Sequence, residues 1–152
     1  MNSLIIFGSK YLYLIAVIVA IASFLYLPRE KKRAMAFLGI ISFASTYIVA
    51  LLAGLVFNDP RPFVSEHITP LISHAPDNGF PSDHTLLVAA LASIIYYYNR
   101  KLGLLTFAIA ILVGVARVFA GIHHWIDIIG SIVIAVLATA VVYKFSRKYL
   151  YV

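Results

Sequence analysis

The feature that most constrains this chain is a series of long apolar stretches separated by short polar connections. The stretches occupy five ranges: 11–27, 34–57, 85–99, 102–119 and 128–145. Stretches of this kind cross a hydrocarbon core of about 30 Å as α-helices, which rise about 1.5 Å per residue. Of the 152 residues, 62% are hydrophobic and only 12% are charged, a composition unlike that of a soluble domain. We therefore expect an all-α, polytopic membrane helical bundle of about five transmembrane helices, forming one integral-membrane domain over residues 1–152.

The basic residues predict how this bundle is oriented. Nine of the twelve Lys and Arg residues lie in the connections after the first and third stretches or in the tail that begins at Lys144: Arg29, Lys31, Lys32, Arg33, Arg100, Lys101, Lys144, Arg147 and Lys148. Because connections rich in Lys and Arg stay in the cytoplasm, the N-terminus is expected outside and the C-terminus in the cytoplasm of a cell (inner or plasma) membrane. The first stretch runs into Pro28 and a basic cluster, which favours a spanning helix over a cleaved signal peptide. Retention of the basic connections in the cytoplasm explains the net charge of +6, so we expect no nucleic-acid partner.

The predicted outer side collects most of the acidic residues and the longest connection. Five of the six acids belong to it: Asp59, Glu66, Asp77, Asp83 and Asp127. Acidic residues hardly affect topology, so we attribute this asymmetry to function. The connection 58–84 alternates apolar residues with prolines and is interpreted as an interfacial lid with room for one short amphipathic helix. The chain has no cysteine, which excludes thiolate chemistry and leaves His, Asp, Arg and hydroxyl groups as the candidates.

The first polar cluster, residues 58–63, lies where the second stretch reaches the outer side. Its sequence is Asn-Asp-Pro-Arg-Pro-Phe, so Arg61 is held between two prolines that restrict the backbone. A guanidinium is suited to bidentate contact with phosphate, and ionisable groups at the edge of a membrane span are functional candidates by default. The alternative is an interfacial arginine that touches lipid headgroups.

The second cluster, Pro81-Ser82-Asp83-His84, lies where the third stretch begins. A Pro-Ser-Asp run entering a helix is an N-cap signal, and the free backbone N–H groups there can bind an anion. An ordinary capping role explains Ser82 and Asp83 equally well. In the first turn, the imidazole of His84 is placed to exchange a proton with such an anion, although a plain surface histidine is the alternative.

The third cluster joins the fourth and fifth stretches and contains Arg117, His123 and Asp127. If residues 123–127 are helical, His123 and Asp127 lie on one face at the i,i+4 spacing, where a carboxylate can accept the imidazole N–H. Such a contact makes the other ring nitrogen a better nucleophile or base. Gly121 permits a tight turn between the two stretches, and Arg117 projects from the last outer turn of its helix.

Together the clusters resemble the signature of the type 2 phosphatidic acid phosphatases (PAP2 family), which are integral-membrane lipid phosphatases. The family pattern reads Lys-x6-Arg-Pro, then Pro-Ser-Gly-His, then Ser-Arg-x5-His-x3-Asp. Within the signature region 54–127, Arg61-Pro62 match the end of the first part, residues 81–84 match the second, and the third is matched by Arg117, His123 and Asp127. The resemblance implies a PAP2/haloperoxidase-like helical core. With Asp in place of Gly and Phe80 before the motif, the second part is most similar to the bacterial undecaprenyl-diphosphate phosphatases associated with bacitracin resistance.

The chain departs from the family pattern at three points. Gly54 stands where the family has Lys, and Ala116 stands where it has Ser, so two phosphate ligands are missing. The family usually has six spans, whereas five are predicted here. Lys10 and Asn58 are candidates to replace the lost contacts.

The resemblance implies a mechanism and a substrate class. His123 attacks phosphorus to give a phosphohistidine, Asp127 orients it, and His84 protonates the leaving oxygen. The phosphoryl oxygens are held by the side chains of Arg61 and Arg117 and by backbone N–H groups at Ser82 and Asp83. No metal, no other cofactor and no obligatory protein partner is implied.

The implied substrate is a membrane lipid phosphate, with undecaprenyl diphosphate, an intermediate of cell wall biosynthesis, favoured. The alternatives are phosphatidic acid or phosphatidylglycerol phosphate as substrate, and a non-catalytic protein that binds a lipid headgroup. A haem protein is disfavoured because all five histidines lie at the predicted outer edge rather than facing one another within the bilayer.

Overall fold

The structure, a computed structural model, describes residues 1–150; the last two residues of the predicted domain, 151–152, lie outside the described residues. Its helices are α1 (Asn2–Tyr26), α2 (Arg29–Val56), α3 (Pro62–Ser65), α4 (Asp83–Tyr98), α5 (Arg100–Phe119) and α6 (Trp125–Leu150). Within the described range the only β-type pairing is an isolated bridge between Pro60 and Asn78. The prediction of an all-α helical bundle is confirmed.

Four helices, α1, α2, α5 and α6, are long and apolar enough to cross a membrane by length and composition. The predicted stretch 85–99 corresponds to α4, which has 16 residues and is shorter than these four. All five predicted stretches start later than the corresponding helices, and the difference is largest for the first, whose predicted start is residue 11. The helix α1 begins at Asn2 because apolar residues continue on both sides of Lys10, whose side chain stays exposed.

The short helix α4 lies at the centre of the bundle and packs against α1, α2, α5 and α6. Ala89, Ala90 and Ala92 are fully buried, and these small side chains let the surrounding helices approach closely. The outer helices leave large apolar side chains exposed, as at Ile18 and Leu52. An apolar exterior around a close-packed centre is the arrangement expected of a membrane helical bundle.

The long connection after α2 is irregular except for the four residues of α3, the only helix in the predicted lid. The segment is nevertheless fixed in place. The backbone N–H of Leu71 donates to the carbonyl of Ala120 at 2.9 Å, and Ile72 is buried against Ala120 and Ile122. The lid segment therefore packs on the turn that joins α5 and α6.

That turn depends on Gly121, which has a φ of 74°. This left-handed conformation is strained for residues with a Cβ atom, so glycine permits the predicted tight turn. The N–H of Gly121 donates to Val118 and the N–H of Ile122 donates to Arg117, both inside the preceding helix. The reversal places His123 beside the end of α5 and the start of α6.

Candidate active site

His123 and Asp127 form a buried pair at the end of the bundle where α5 ends and α6 begins. His123 Nδ1 lies 3.1 Å from Asp127 Oδ2, and the two residues are 2% and 0% exposed. The helical assumption behind the predicted pairing is wrong, because His123 lies in the turn and α6 begins at Trp125. The pair forms instead by capping. Asp127 Oδ2 also accepts the backbone N–H of His124 at 2.9 Å, which fixes the carboxylate at the start of α6.

The second ring nitrogen of His123 faces two guanidinium groups. Nε2 lies 3.2 Å from Arg61 Nη1 and 3.1 Å from Arg117 Nη2. Arginine can only donate, so Nε2 is the acceptor and the proton of a neutral ring resides on Nδ1, where it is donated to Asp127. Burial, and then the positive charges of Arg117 and Arg61, lower the pKa of His123 far below its usual value. The ring is therefore neutral, with its lone pair directed into a cationic pocket.

Arg61 is held in this pocket by the backbone and by the lid. Its Nη1 atom also donates to the carbonyl of Ile122 at 2.9 Å, and its Nε atom pairs with Asp77 Oδ1 at 2.7 Å. Burial raises the pKa of Asp77, but the hydrogen bond and charge of Arg61 outweigh this effect and the pKa is lowered. The ion pair ties the guanidinium to the segment that covers the site.

Asn78 fixes the backbone around Arg61. Its side-chain oxygen accepts the N–H groups of Asp59 and Phe80, and its amide nitrogen donates to the carbonyls of Gly54 and Phe57. These bonds close the end of α2, where the orphan carbonyl groups of a helix need partners. The predicted motif is thus held by a residue that carried no sequence signal.

Arg117 has one polar atom without a partner. Its Nη1 atom donates to the carbonyl of Ser9 in α1 at 3.3 Å, whereas its buried Nε atom has no hydrogen-bond partner among the described residues. An unsatisfied buried donor is costly, and a phosphoryl oxygen is a strong acceptor for a guanidinium. This orphan N–H group makes the space beside His123 Nε2 suited to an anion.

The second motif lies next to this pocket. Ser82 is the N-cap residue of α4, as predicted, but its hydroxyl is buried and lies 3.2 Å from the hydroxyl of Thr85. Asp83 is exposed. The ring of His84 packs edge-on against Tyr13 of α1, with ring centroids 4.8 Å apart. Arg117 and His123 act on His84 electrostatically, although no described hydrogen bond joins His84 to His123.

The lid also contributes a histidine that the sequence reasoning missed. The ring of His74 lies across from His123, with a centroid separation of 6.4 Å. Burial, followed by the charge of Arg61, lowers the pKa of His74. Only its position in the long connection after α2 could have indicated it, because no regular pattern surrounds it.

Beside the pocket, His124 lies within a group of carboxylates. Its Nδ1 atom is 2.8 Å from Asp59 Oδ2, and its Nε2 atom is 3.3 Å from Glu66 Oε1. The side-chain atoms of Asp59, His124 and Asp127 that could ligate a metal lie within 4.8 Å of one another, which is close enough for a shared divalent cation. Both ring nitrogens of His124 are nevertheless already paired with carboxylates, so an ionic hydrogen-bond network accounts for this group.

Gly54 and Ala116, which stand where the family has two phosphate ligands, make structural contacts instead. The carbonyl of Gly54 is bonded to Asn78, and Ala116 packs so closely on α1 that a Cβ atom at Gly8 would lie 2.9 Å from its own. Lys10 and Asn58, the candidate replacements, are both exposed, and neither is hydrogen-bonded to Arg61 or Arg117 within the described chain.

Comparison with known proteins identifies the family of this chain. The pattern of the PAP2 superfamily matches residues 33–151. Over 146 residues the chain is 31% identical to "Undecaprenyl-diphosphatase BcrC" of Bacillus subtilis (strain 168), covering 96% of this chain and 75% of that protein.

Two solved structures have the same fold. LpxE of Aquifex aeolicus gives a TM-score of 0.69 at 22% identity, covering 93% of this chain and 82% of the other. The PAP2-type phosphatidylglycerolphosphate phosphatase of Bacillus subtilis gives 0.68 at 23% identity, covering 97% and 75%. This chain therefore belongs to the PAP2 superfamily and is an integral-membrane phosphatase.

Proposed function

We propose that this protein is a metal-independent lipid phosphatase that forms a phosphohistidine at His123 and converts undecaprenyl diphosphate to undecaprenyl phosphate. One observation carries the proposal. The neutral, buried His123 directs Nε2 at Arg61 and Arg117, while its Nδ1–H group is directed at Asp127. A nucleophile, its orienting carboxylate and two phosphate-binding cations are thereby brought together.

The first step is attack of His123 Nε2 on the terminal phosphorus. The N–H groups of Arg61 and Arg117 that donate hydrogen bonds to Nε2 donate to the phosphoryl oxygens instead. The orphan Nε–H group of Arg117 also gains an acceptor there. The new N–P bond makes the ring cationic, and Asp127 stabilises that charge through Nδ1–H. The bond from phosphorus to the lipid-phosphate oxygen breaks as the N–P bond forms.

His84 is proposed to handle the proton at the opposite side of the pocket. It donates a proton to the departing oxygen, and it then takes a proton from the water that hydrolyses the phosphohistidine. Its half-buried position in the first turn of α4 supports this role. Burial and the charge of Arg117 lower the pKa of His84, and the negative charge of a bound phosphate opposes that shift. Release of phosphate restores the neutral ring of His123.

The preferred substrate is supported by the relative named as an undecaprenyl-diphosphatase, which matches most of this chain. The second candidate is a diacyl lipid phosphate, since one structural neighbour is a phosphatidylglycerolphosphate phosphatase. Exposed apolar helix faces around the site suit either type of lipid tail.

We infer that the site faces the periplasm or exterior. It is built at the ends of α2 and α5 and the starts of α4 and α6, which is the opposite end of the bundle from the basic connections at 29–33 and 100–101. Ser9 and Tyr13 of α1 contact Arg117 and His84, which supports a single domain for the whole chain.

The test is phosphate release by purified protein in detergent micelles, with undecaprenyl diphosphate, phosphatidic acid and phosphatidylglycerol phosphate assayed side by side. We expect turnover of all phosphate lipids to require His123, with undecaprenyl diphosphate giving the highest kcat/KM. A preference for a diacyl phosphate would select the second candidate substrate. Headgroup binding without phosphate release from any lipid would contradict the enzymatic proposal.

A further inference from the structure

His124 follows the proposed nucleophile in sequence, but its ring lies between Asp59 and Glu66. Nδ1 is 2.8 Å from Asp59, and Nε2 is 3.3 Å from Glu66. A neutral imidazole carries one N–H group, so ring donation to two carboxylates requires the imidazolium form. Burial lowers the pKa of His124, but the hydrogen bonds that the ring donates to Asp59 and Glu66, with the negative charge of Asp59, outweigh it and the pKa is raised.

The titratable groups that face His124 are all carboxylates. Asp59 and Glu66 belong to the segment around α3, and Asp127 belongs to α6, where it accepts the backbone N–H of His124 at 2.9 Å. A cationic ring is therefore matched by anionic neighbours on both elements that pack against it. The same residue also touches the carboxylate that orients His123.

The two carboxylates bonded to the ring flank Arg61 in the chain. Arg61 itself bonds to Ile122 and His123, the two residues that precede His124. The turn 122–124 thus contacts the segment 59–66 three times: at Asp59, at Arg61 and at Glu66. The prolines at 60 and 62 stiffen the backbone between the outer two contacts. Fixing both ends of this segment fixes the origin of the Arg61 side chain.

We propose that the Asp59–His124–Glu66 bridge makes His124 a positioning residue that holds Arg61 in register with His123 for phosphoryl binding. This proposal rests on the proposed phosphatase function of the same site. His124 does not touch the phosphoryl group, and it acts through Arg61. Loss of the bridge should weaken phosphate binding while the nucleophile, Asp127 and His84 remain in place.

The first test compares His124→Gln with the wild-type protein. A hydrogen bond to a charged group corresponds to about a tenfold change in an equilibrium constant, so we expect KM to rise about tenfold while kcat falls less than threefold. The matched control is His67→Asn, because His67 is an exposed histidine of the same segment whose positive φ asparagine accepts. A fall in kcat with unchanged KM would overturn the proposal.

Glu66→Gln provides a second variant at an exposed side chain, where folding is not at risk. We expect a smaller rise in KM, in the same direction. The double variant His124→Gln/Glu66→Gln should bind no more weakly than His124→Gln alone, because both changes remove one bridge. Fully additive effects would contradict a shared bridge.

The pH dependence of KM separates positioning from a purely structural role. The bridge is present while His124 is protonated and is lost as the pH rises through its raised pKa. Wild-type KM should therefore increase on the alkaline side, and this increase should be absent in His124→Gln, whose KM is already high. An identical alkaline rise in both proteins would overturn the role of His124.

Binding of inorganic phosphate, measured by calorimetry on the full-length protein, gives a readout that does not need turnover. We expect His124→Gln to bind phosphate about tenfold more weakly than the wild type. If no lipid is hydrolysed but this difference is found, the proposed function fails and the bridge stands. Equal affinities, or no phosphate binding by the wild-type protein, would overturn the bridge.

Discussion

His123 Nδ1 lies 3.1 Å from Asp127 Oδ2, although His123 precedes the first turn of α6 by two residues. The contact joins a turn residue to a helix residue. The carboxylate of Asp127 also accepts the backbone N–H of His124, which caps the start of α6. This arrangement fixes the tautomer of His123 without relying on the i,i+4 register of a helix.

Replacement of Asp127 by Asn should therefore damage catalysis more than binding. The imidazole loses the anion that stabilises its positive charge in the phosphoenzyme, so we expect kcat to fall about 10³-fold with a small change in KM. Steady-state kinetics on undecaprenyl diphosphate measure this. Glu30→Gln, at the opposite end of the bundle, is the control. A tenfold or smaller loss of kcat in Asp127→Asn would mean that the carboxylate is mainly structural.

The lowered pKa of His123 predicts how phosphoenzyme formation depends on pH. A histidine with a lowered pKa stays neutral until the pH falls well below the usual histidine pKa of about 6.5. The nucleophile is therefore not lost by protonation between about pH 5.5 and 7.5. In rapid-quench measurements at saturating substrate, the rate of phosphoenzyme formation should show no titration of His123 at about pH 6.5. A tenfold loss of rate for each unit by which the pH falls over this interval, persisting when His84 is replaced, would contradict a neutral His123.

Activity should survive chelation, because the positive charge in the pocket comes from Arg61 and Arg117. EDTA treatment followed by gel filtration is expected to leave most of the turnover. Strict loss of activity that returns with Mg²⁺ would show that a cation takes part. The group formed by Asp59, His124 and Asp127 would then be the first place to locate it.

The orientation in the membrane can be tested with single cysteines, since the chain has none of its own. Ser73 is exposed on the lid segment, and Glu30 is exposed at the start of α2. An impermeant maleimide should label Ser73→Cys in intact cells and Glu30→Cys only after lysis. The reverse pattern would place the site in the cytoplasm.

Much of the site could be predicted because its principal groups lie in three short motifs at helix ends. Apolar stretches gave the approximate spans, and the motifs at 58–63, 81–84 and 117–127 converge because those spans alternate in direction. Arg61, Arg117, His123 and Asp127 are indeed brought together.

The contacts made by the lid could not be predicted in the same way. Asp77, Asn78 and His74 lie in an irregular segment with no periodicity, and they act on residues far along the chain. His124 pairs with a carboxylate 65 positions away, so its role depends on tertiary structure. The helical spacing assumed for His123 failed for a related reason, since the Gly121 turn rather than helix geometry sets that contact.

The central claim, that His123 is the nucleophile and His84 the general acid and base, is tested most directly by trapping phosphoenzyme from radiolabelled undecaprenyl diphosphate. A diphosphate lipid expels a good leaving group, so His84→Ala should still form phosphohistidine but hydrolyse it slowly, and acid-labile phosphate should accumulate at His123. His123→Ala should give no phosphoenzyme while still binding inorganic phosphate through Arg61 and Arg117. Acid-labile phosphate on residue 84 of the His123→Ala protein would reverse the assignment and contradict the mechanism.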